Sequence, residues 1–249
     1  KQQPCLTHPE VVKTIADRLR ARLDEYPGWT KSLTISANDA CGFCECRRCK
    51  AAGNNSAQQL HFANAVAREL AKTHPNRFRL GFLAYLCTHD PPDPLIQAEP
   101  GVHVMIVNEG DHTKPLDHPE PPEVAGRERC NTREVKAFQG WRETGGLTGI
   151  YEWWIPGYYT NTGSRLPWYS GETALRNLRY WKRGGIKYIF YATGPEGNPP
   201  GKEGHGFPIR WPLFYVGARG MWDPELTCEQ IMGEACRKLY GPAAEHMLA

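Results

Sequence analysis

An Asn–Asp pair at the end of an apolar segment is the first place in this sequence where acid–base chemistry is expected. Asn38 and Asp39 end the β-branched stretch that begins at residue 32. Carboxylates at the carboxyl ends of parallel strands are where α/β barrels place their catalytic groups. If residues 32–38 form such a strand, Asp39 is the first candidate for a catalytic carboxylate.

Four cysteines follow this pair within nine residues, namely Cys41, Cys44, Cys46 and Cys49. Their spacing suits thiolate ligation of zinc. Four thiolates so close in sequence impose a tight geometry, so one ligand could come from Cys87 or from a histidine. Disulfide bonds fit the spacing equally well, and an iron–sulfur cluster would have no redox-partner motif beside it. The chain has nine cysteines, an odd number, which leaves at least one unpaired thiol or metal ligand.

Periodic apolar residues predict the elements that must position these side chains. Helices are expected at residues 8–25, 56–72, 133–142, 170–183 and from 223 to 241. Short apolar runs predict strands at residues 32–38, 78–86, 102–107, 147–154 and 186–192. The segment from 87 to 122 is rich in Pro and His and is expected to be mostly long loop, which in a compact domain is usually functional.

The alternation of helices with uniformly apolar strands predicts an α/β fold with a parallel sheet covered by helices. One domain is expected for 249 residues, a length that a (β/α)8 TIM-type barrel commonly fills. Five strands are recognisable in the sequence, whereas a closed barrel needs about eight. We therefore expect the C-terminal part of a larger barrel, about five β/α units, whose first strands precede Lys1.

Composition excludes several classes of partner. The formal charge is +3 and the 30 basic residues are spread along the chain, so neither nucleic acid nor a membrane surface is expected as a partner. No apolar run approaches the length that spans a bilayer. The 8 Trp and 11 Tyr residues suit a surface that stacks on sugar rings, although many other clefts share this composition.

An ordered set of short motifs carries a family resemblance along essentially the whole chain. The motifs include Pro9-Glu10, Asn38-Asp39, the cysteines at 44, 46 and 49, Asn64, Tyr85, Pro91-Pro92, His118-Pro119, Trp141, Tyr151-Glu152-Trp153 and Trp222-Asp223-Pro224. In these motifs the chain resembles the bacterial family called domain of unknown function 4838. Cys41 and the pair Trp153-Trp154 depart from the family pattern.

The resemblance implies a glycoside-hydrolase-like barrel, distantly similar to β-hexosaminidases and α-glucuronidases. It also implies a carbohydrate substrate and an N-terminal domain in the same parent protein. We expect an extracellular or periplasmic protein. Catalysis would require no cofactor, while the cysteines could hold a structural zinc.

Within such a barrel, residues 32–38 would be the fourth strand and 147–153 the seventh. Asp39 is then predicted as general acid/base and Glu152 as nucleophile or charge stabiliser. Two such carboxyl groups lie about 5 Å apart in retaining enzymes and roughly 6.5–9.5 Å apart in inverting ones. In the simpler interpretation, Asp39 caps a turn and Glu152 pairs with an arginine. A hexosaminidase-like mechanism, in which the substrate's acetamido group attacks, is a variant that needs one acid and one orienting carboxylate.

Substrate contacts are predicted for residues at or beyond the strand ends. Asn38 would donate to a sugar hydroxyl, and His118 would reach a sugar or carry a proton. The other candidates are the aromatic residues Tyr85, Tyr151 and Trp154, and Glu196 in a glycine-rich loop over the barrel mouth. Histidines in loops, such as His112, are more commonly solvated, and aromatic residues in strands more commonly belong to the core.

Two further classes of function compete with a hydrolase. One is a carbohydrate-binding domain that uses the same aromatic residues without a working carboxylate pair. The other is a zinc-stabilised structural or interaction domain. In the second case metal removal would unfold the chain and sugars would have no effect.

Overall fold

The structure is a computed structural model that describes residues 3–118, 120–121, 123, 130–152, 171–191 and 206–248, with the backbone alone at 206–210. Two short 3-10 helices, Leu86–Thr88 and Gly241–Ala243, accompany the main elements. The strands are β1 Lys31–Thr34, β2 Phe78–Ala84, β3 Val102–Val107, β4 Leu147–Glu152 and β5 Tyr188–Tyr191. The helices are α1 Pro9–Asp24, α2 Arg47–Ala52, α3 Asn55–Ala71, α4 Asn131–Glu143, α5 Gly171–Arg183, α6 Gly206–Trp222, α7 Cys228–Tyr240 and α8 Ala244–Leu248.

The sheet confirms the predicted α/β class with parallel strands. Its order is β1-β2-β3-β4-β5, the order of the strands in the chain. β1 pairs with β2 in parallel, and β2 with β3, with Leu80 opposite both Leu33 and Val102. A β-α-β connection between adjacent parallel strands is the repeating unit of α/β barrels, so this sheet is consistent with a partial barrel.

Several element boundaries differ from the predicted ones. β1 ends at Thr34, four residues before the predicted end of that strand, so Asn38 and Asp39 lie in a loop. α7 begins at Cys228 because Thr227 and Gln230 form a capping box there. α6 was not predicted: it contains an internal proline, Pro212, and lacks a polar face.

Contacts divide the chain into two compact units, which are described separately. The first comprises Lys1–Val107 and Lys136–Ile150, and the second comprises Asn108–Val135 and Tyr151–Ala249. The prediction of one domain therefore stays a prediction.

The core of the first unit forms where α1, α3 and α4 meet β1 to β4. α3 contributes a nearly continuous buried surface that includes Leu60, Val66 and Leu70. The Trp141 ring meets Phe82 edge-on, with 5.8 Å between the ring centroids, and its Nε1–H donates to the carbonyl of His89 at 2.9 Å. This large buried pair stabilises the unit beneath the ends of its strands.

In the second unit, the apolar face of α5 packs against α6 and α7. Leu175, Leu178 and Trp181 on α5 are almost fully buried, as are Val216 and Ile231 on the other two helices. None of the helices in the described part of the chain is both long and apolar enough to cross a bilayer.

Candidate functional site

Four cysteine sulfurs in the first unit form a cluster that could hold a metal ion. The Sγ atoms of Cys5, Cys44, Cys46 and Cys49 all lie within 4.8 Å of one another. Cys5 Sγ lies 3.6 Å from Cys49 Sγ and 3.8 Å from Cys46 Sγ. A tetrahedral zinc with four thiolates places its sulfurs about 3.8 Å apart, because each Zn–S bond is about 2.3 Å long. The four sulfurs therefore need little rearrangement to bind a metal of this kind.

Two short helical starts bring these sulfurs together. Cys46 is the N-cap of α2, and Cys49 lies in the same helix. Cys5 precedes α1, and the nearby Thr7 Oγ1 lies 3.1 Å from Cys49 Sγ. Cys49 is fully buried, whereas the other three are half-buried. The cluster thus closes the N-terminal segment onto α2.

The cysteines of the cluster differ in acidity because of their hydrogen bonds. The backbone N–H of Cys49 lowers the pKa of the Cys46 thiol to about 6, so this sulfur is a thiolate at neutral pH. Burial raises the pKa of Cys49 to about 12. Burial also acts to raise the pKa of Cys5, but hydrogen bonds from Thr7, Cys49 and Cys44 outweigh it and lower that pKa. A bound cation would draw off the remaining protons, since thiols lose them on coordination.

Cys41, which was predicted as a metal ligand, is bonded to Cys87 instead. The two form a disulfide with 5.4 Å between their Cα atoms. A disulfide sulfur carries no thiolate, so Cys5 supplies the fourth sulfur that was predicted from Cys41. The cysteines therefore form both of the arrangements considered from the sequence, a possible metal cluster and a disulfide.

Three predicted site residues of the first unit share one small cavity. Asn38, Asp39 and Tyr85 line a space of ≈ 20 Å³ together with residues of the Cys41–Cys87 region. Such a space holds about one water molecule, so the cavity is not itself a sugar pocket. The Asp39 residue is exposed to solvent.

Glu152 in the second unit lies at the centre of a buried polar cluster. The residue is 0 % exposed at the end of β4. Its Oε1 lies 2.9 Å from His112 Nδ1, and its Oε2 accepts from Asn108 Nδ2 at 2.9 Å. A buried carboxylate is tolerated when it is paired and hydrogen-bonded in this way. The simpler interpretation of Glu152 as a paired residue is thus correct about the pairing, with histidine as the observed partner.

His112 is a buried cation beside this carboxylate. Burial acts to lower the pKa of His112, but the charge and hydrogen bond of Glu152, with help from Glu134 and Asp111, outweigh it and raise that pKa above its ordinary value of 6.5. The residue is 8 % exposed, which corrects the expectation of a solvated loop histidine. The imidazole therefore holds its proton more tightly than a free histidine does.

The loop that carries His112 is fixed by an asparagine of α4. Asn131 Oδ1 accepts from the backbone N–H of Asp111 at 2.8 Å, and its Nδ2 donates to the carbonyls of Lys114 and Pro115. A side chain at position 110 would collide with Asn131 Oδ1, so Gly110 lets the loop approach α4 closely. Side-chain amides thus replace the regular backbone pairing that this loop lacks.

The remaining predicted site residues are placed differently. Tyr151 packs its ring against Phe190, with 4.7 Å between the centroids. His118 is exposed, with its backbone N–H bonded to the carbonyl of Pro115. Trp154 and Glu196 lie outside the described residues.

Sequence reasoning did not identify three residues that organise these sites. Cys5 stands alone in the sequence, 39 positions before Cys44, so spacing gave no signal. Gln3 contacts the Asn38–Asp39 loop through its side chain. Asn108 comes directly after β3, and the rule that singled out Asp39 at a strand end could have found it.

The chain belongs to the family described as Domain of unknown function (DUF4838), whose model matches residues 1–249. This confirms the recognition made from the motifs, and the family description names no activity. Neither the curated proteins nor the solved structures contain a match to the chain.

Proposed function

We propose that this member of the DUF4838 family is a glycoside hydrolase of the (β/α)8 type, acting on a hexosaminide- or glucuronide-like glycan. Asp39 is the proposed general acid/base, and Glu152 the nucleophile or charge stabiliser. The single observation that carries this proposal is Glu152: a carboxylate at the carboxyl end of a parallel strand, held by hydrogen bonds to both oxygens. A carboxylate that stabilises an oxocarbenium ion must be fixed in this way before the substrate binds.

The charges around Glu152 support the same role. His112 and Asn108 both donate to the carboxylate, which favours its ionised form. An ionised group is what a nucleophile or charge stabiliser requires, whereas a general acid must keep its proton. Asp39, exposed beside Tyr85, can exchange protons with water and so suits the acid/base role.

The disulfide supports the proposed extracellular or periplasmic location. Bonds such as Cys41–Cys87 form and persist in oxidising compartments. Glycans of bacterial, plant or host surfaces are met there.

The test of the hydrolase proposal is release of a fluorescent aglycone from a panel of 4-methylumbelliferyl hexosaminides and glucuronides. We expect turnover of at least one glycoside, with a loss of at least about 100-fold in Glu152→Gln and Asp39→Asn. Glu245→Gln and Asp93→Asn, which alter exposed carboxylates, are the matched controls and should keep full activity. Turnover that survives both site substitutions would overturn the residue assignment. Absence of turnover on the whole panel would overturn the hydrolase, and glycan binding without turnover would favour the carbohydrate-binding alternative.

A second function, a zinc-stabilised structural domain, is favoured by the cysteine cluster. The sulfur separations fit a closed tetrahedral site, which is typical of structural rather than catalytic zinc. We expect one zinc per chain in the wild type and in Cys236→Ala, and none in Cys49→Ala, as measured by elemental mass spectrometry. Equal zinc content in all three proteins would exclude the cluster as the site.

A further inference from the structure

Gln3 grips the loop that carries Asp39. Its Nε2 donates to the backbone carbonyls of Asn38 and Ala40, both at 2.8 Å, and its Oε1 accepts from the backbone N–H of Asn38 at 3.1 Å. These three bonds use both donor hydrogens and the oxygen of the amide on the two residues that flank Asp39. The Gln3 backbone N–H adds a longer bond to the carbonyl of Gly42, at 3.4 Å.

The same short segment supplies a sulfur to the cysteine cluster. Pro4 alone separates Gln3 from Cys5. Proline has a fixed φ, so the connection between the two residues is short and stiff. Whatever holds Cys5 against Cys46 and Cys49 therefore also holds Gln3 against the Asn38–Ala40 backbone.

A metal would strengthen this connection more than the free thiols can. Thiols form weak hydrogen bonds, and the Cys5 thiol makes contacts of 3.6 to 3.8 Å with its neighbours. A tetrahedral thiolate site fixes all four sulfurs by coordinate bonds and couples binding to local folding. The segment that contains Gln3 lies at a chain end, where order depends on such ties.

We propose that Gln3 is a positioning residue that transmits metal binding at the cysteine cluster to Asp39. In the metal-bound protein the Asn38–Ala40 backbone is fixed through the Gln3 amide, and the Asp39 carboxylate is presented in one orientation. In the metal-free protein this part of the loop opens, although the Cys41–Cys87 disulfide still holds its far end. The inference rests on the proposed zinc site, and it adds control of the acid/base residue by that site.

The backbone N–H of Asn38 is a direct reporter, since it donates to Gln3 Oε1. Its hydrogen exchange is measured on the whole protein, with zinc and after chelation, by residue-resolved mass spectrometry. We expect zinc to slow this exchange about tenfold or more in the wild type. In Gln3→Leu the zinc effect at Asn38 should vanish while one zinc still binds. Gln97→Leu, which removes an amide from another loop of the same unit, should retain the full effect.

A third variant separates the two halves of the amide. Gln3→Glu keeps the acceptor for the Asn38 N–H but loses both donors, so it should retain only part of the zinc effect. If zinc binds and Asn38 exchange does not respond in the wild type, the coupling is wrong and the metal site stands. If Gln3→Leu responds to zinc as the wild type does, Gln3 is not the carrier. If no zinc binds, the metal site itself fails, and the coupling fails with it.

Discussion

The two proposed catalytic carboxylates are held by different physical means. Asp39 is exposed in a loop of the first unit, and its position depends on backbone ties from Gln3, the cysteine cluster and the Cys41–Cys87 disulfide. Glu152 in the second unit is buried, and its own oxygens are bound by Asn108 and His112. The first arrangement responds to metal and redox conditions, whereas the second responds to pH. One chain thus combines a carboxylate that needs external conditions to be positioned with one that its neighbours fix directly.

If this comparison is correct, removing the Glu152 side chain has the largest effect on stability. Glu152→Leu would leave the donors of Asn108 and His112 buried without their acceptor and His112 without its counter-charge. We expect the free energy of unfolding to fall by about 3–5 kcal/mol, as measured by urea denaturation.

Glu245→Leu is the control, since Glu245 is exposed in the same unit; its effect should stay within about 0.5 kcal/mol. A Glu152→Leu protein as stable as this control would mean that the buried cluster does not hold the carboxylate through its side chain.

Breaking the disulfide should have a smaller effect, confined to the first carboxylate. In the double variant Cys41→Ala with Cys87→Ala, the loop closed by 46 residues of sequence separation is released. We expect a loss of about 2–4 kcal/mol in the free energy of unfolding, because the unfolded chain gains conformational freedom.

Zinc content measured on the same double variant is its internal control and should remain at the wild-type value. A loss of zinc would show that the disulfide and the cluster are one structural device, and would weaken the distinction between Cys41 and the four other cysteines.

The sequence predicted the elements of this fold better than the contacts between them. α1, α3 and β3 have regular apolar periods and short bounds, so local pattern was sufficient. α6 was missed because an internal proline and a nearly uniform apolar composition hide the helical period. The partner of the cysteine triplet was missed for a different reason: Cys5 meets Cys49 across a sequence separation of 44, which spacing rules cannot reach.

Burial explains the remaining difference between expectation and structure. His112 lies in a loop with many polar residues, which is typical of a solvated histidine. Its burial depends on Asn131 and Glu134 of α4, which fix the loop from a distance in sequence. Residue type therefore identified His112 as able to titrate, while its charge state depends on neighbours that the local sequence does not reveal.

The smallest predicted effect is a shift in the titration of His112. The pKa of this residue is raised above 6.5 in the folded protein, against burial, by Glu152 first and then by Glu134 and Asp111. A raised histidine pKa contributes stability that is fully present below 6.5 and is lost as the pH rises through the folded value. Glu152→Gln should lower the pKa of His112 and flatten this pH dependence, as followed by NMR of the imidazole Cε1–H. Glu245→Gln should leave the titration unchanged. An unchanged pKa in Glu152→Gln would mean that Glu134 and Asp111 retain the proton, and the pH response would then belong to the loop rather than to the carboxylate.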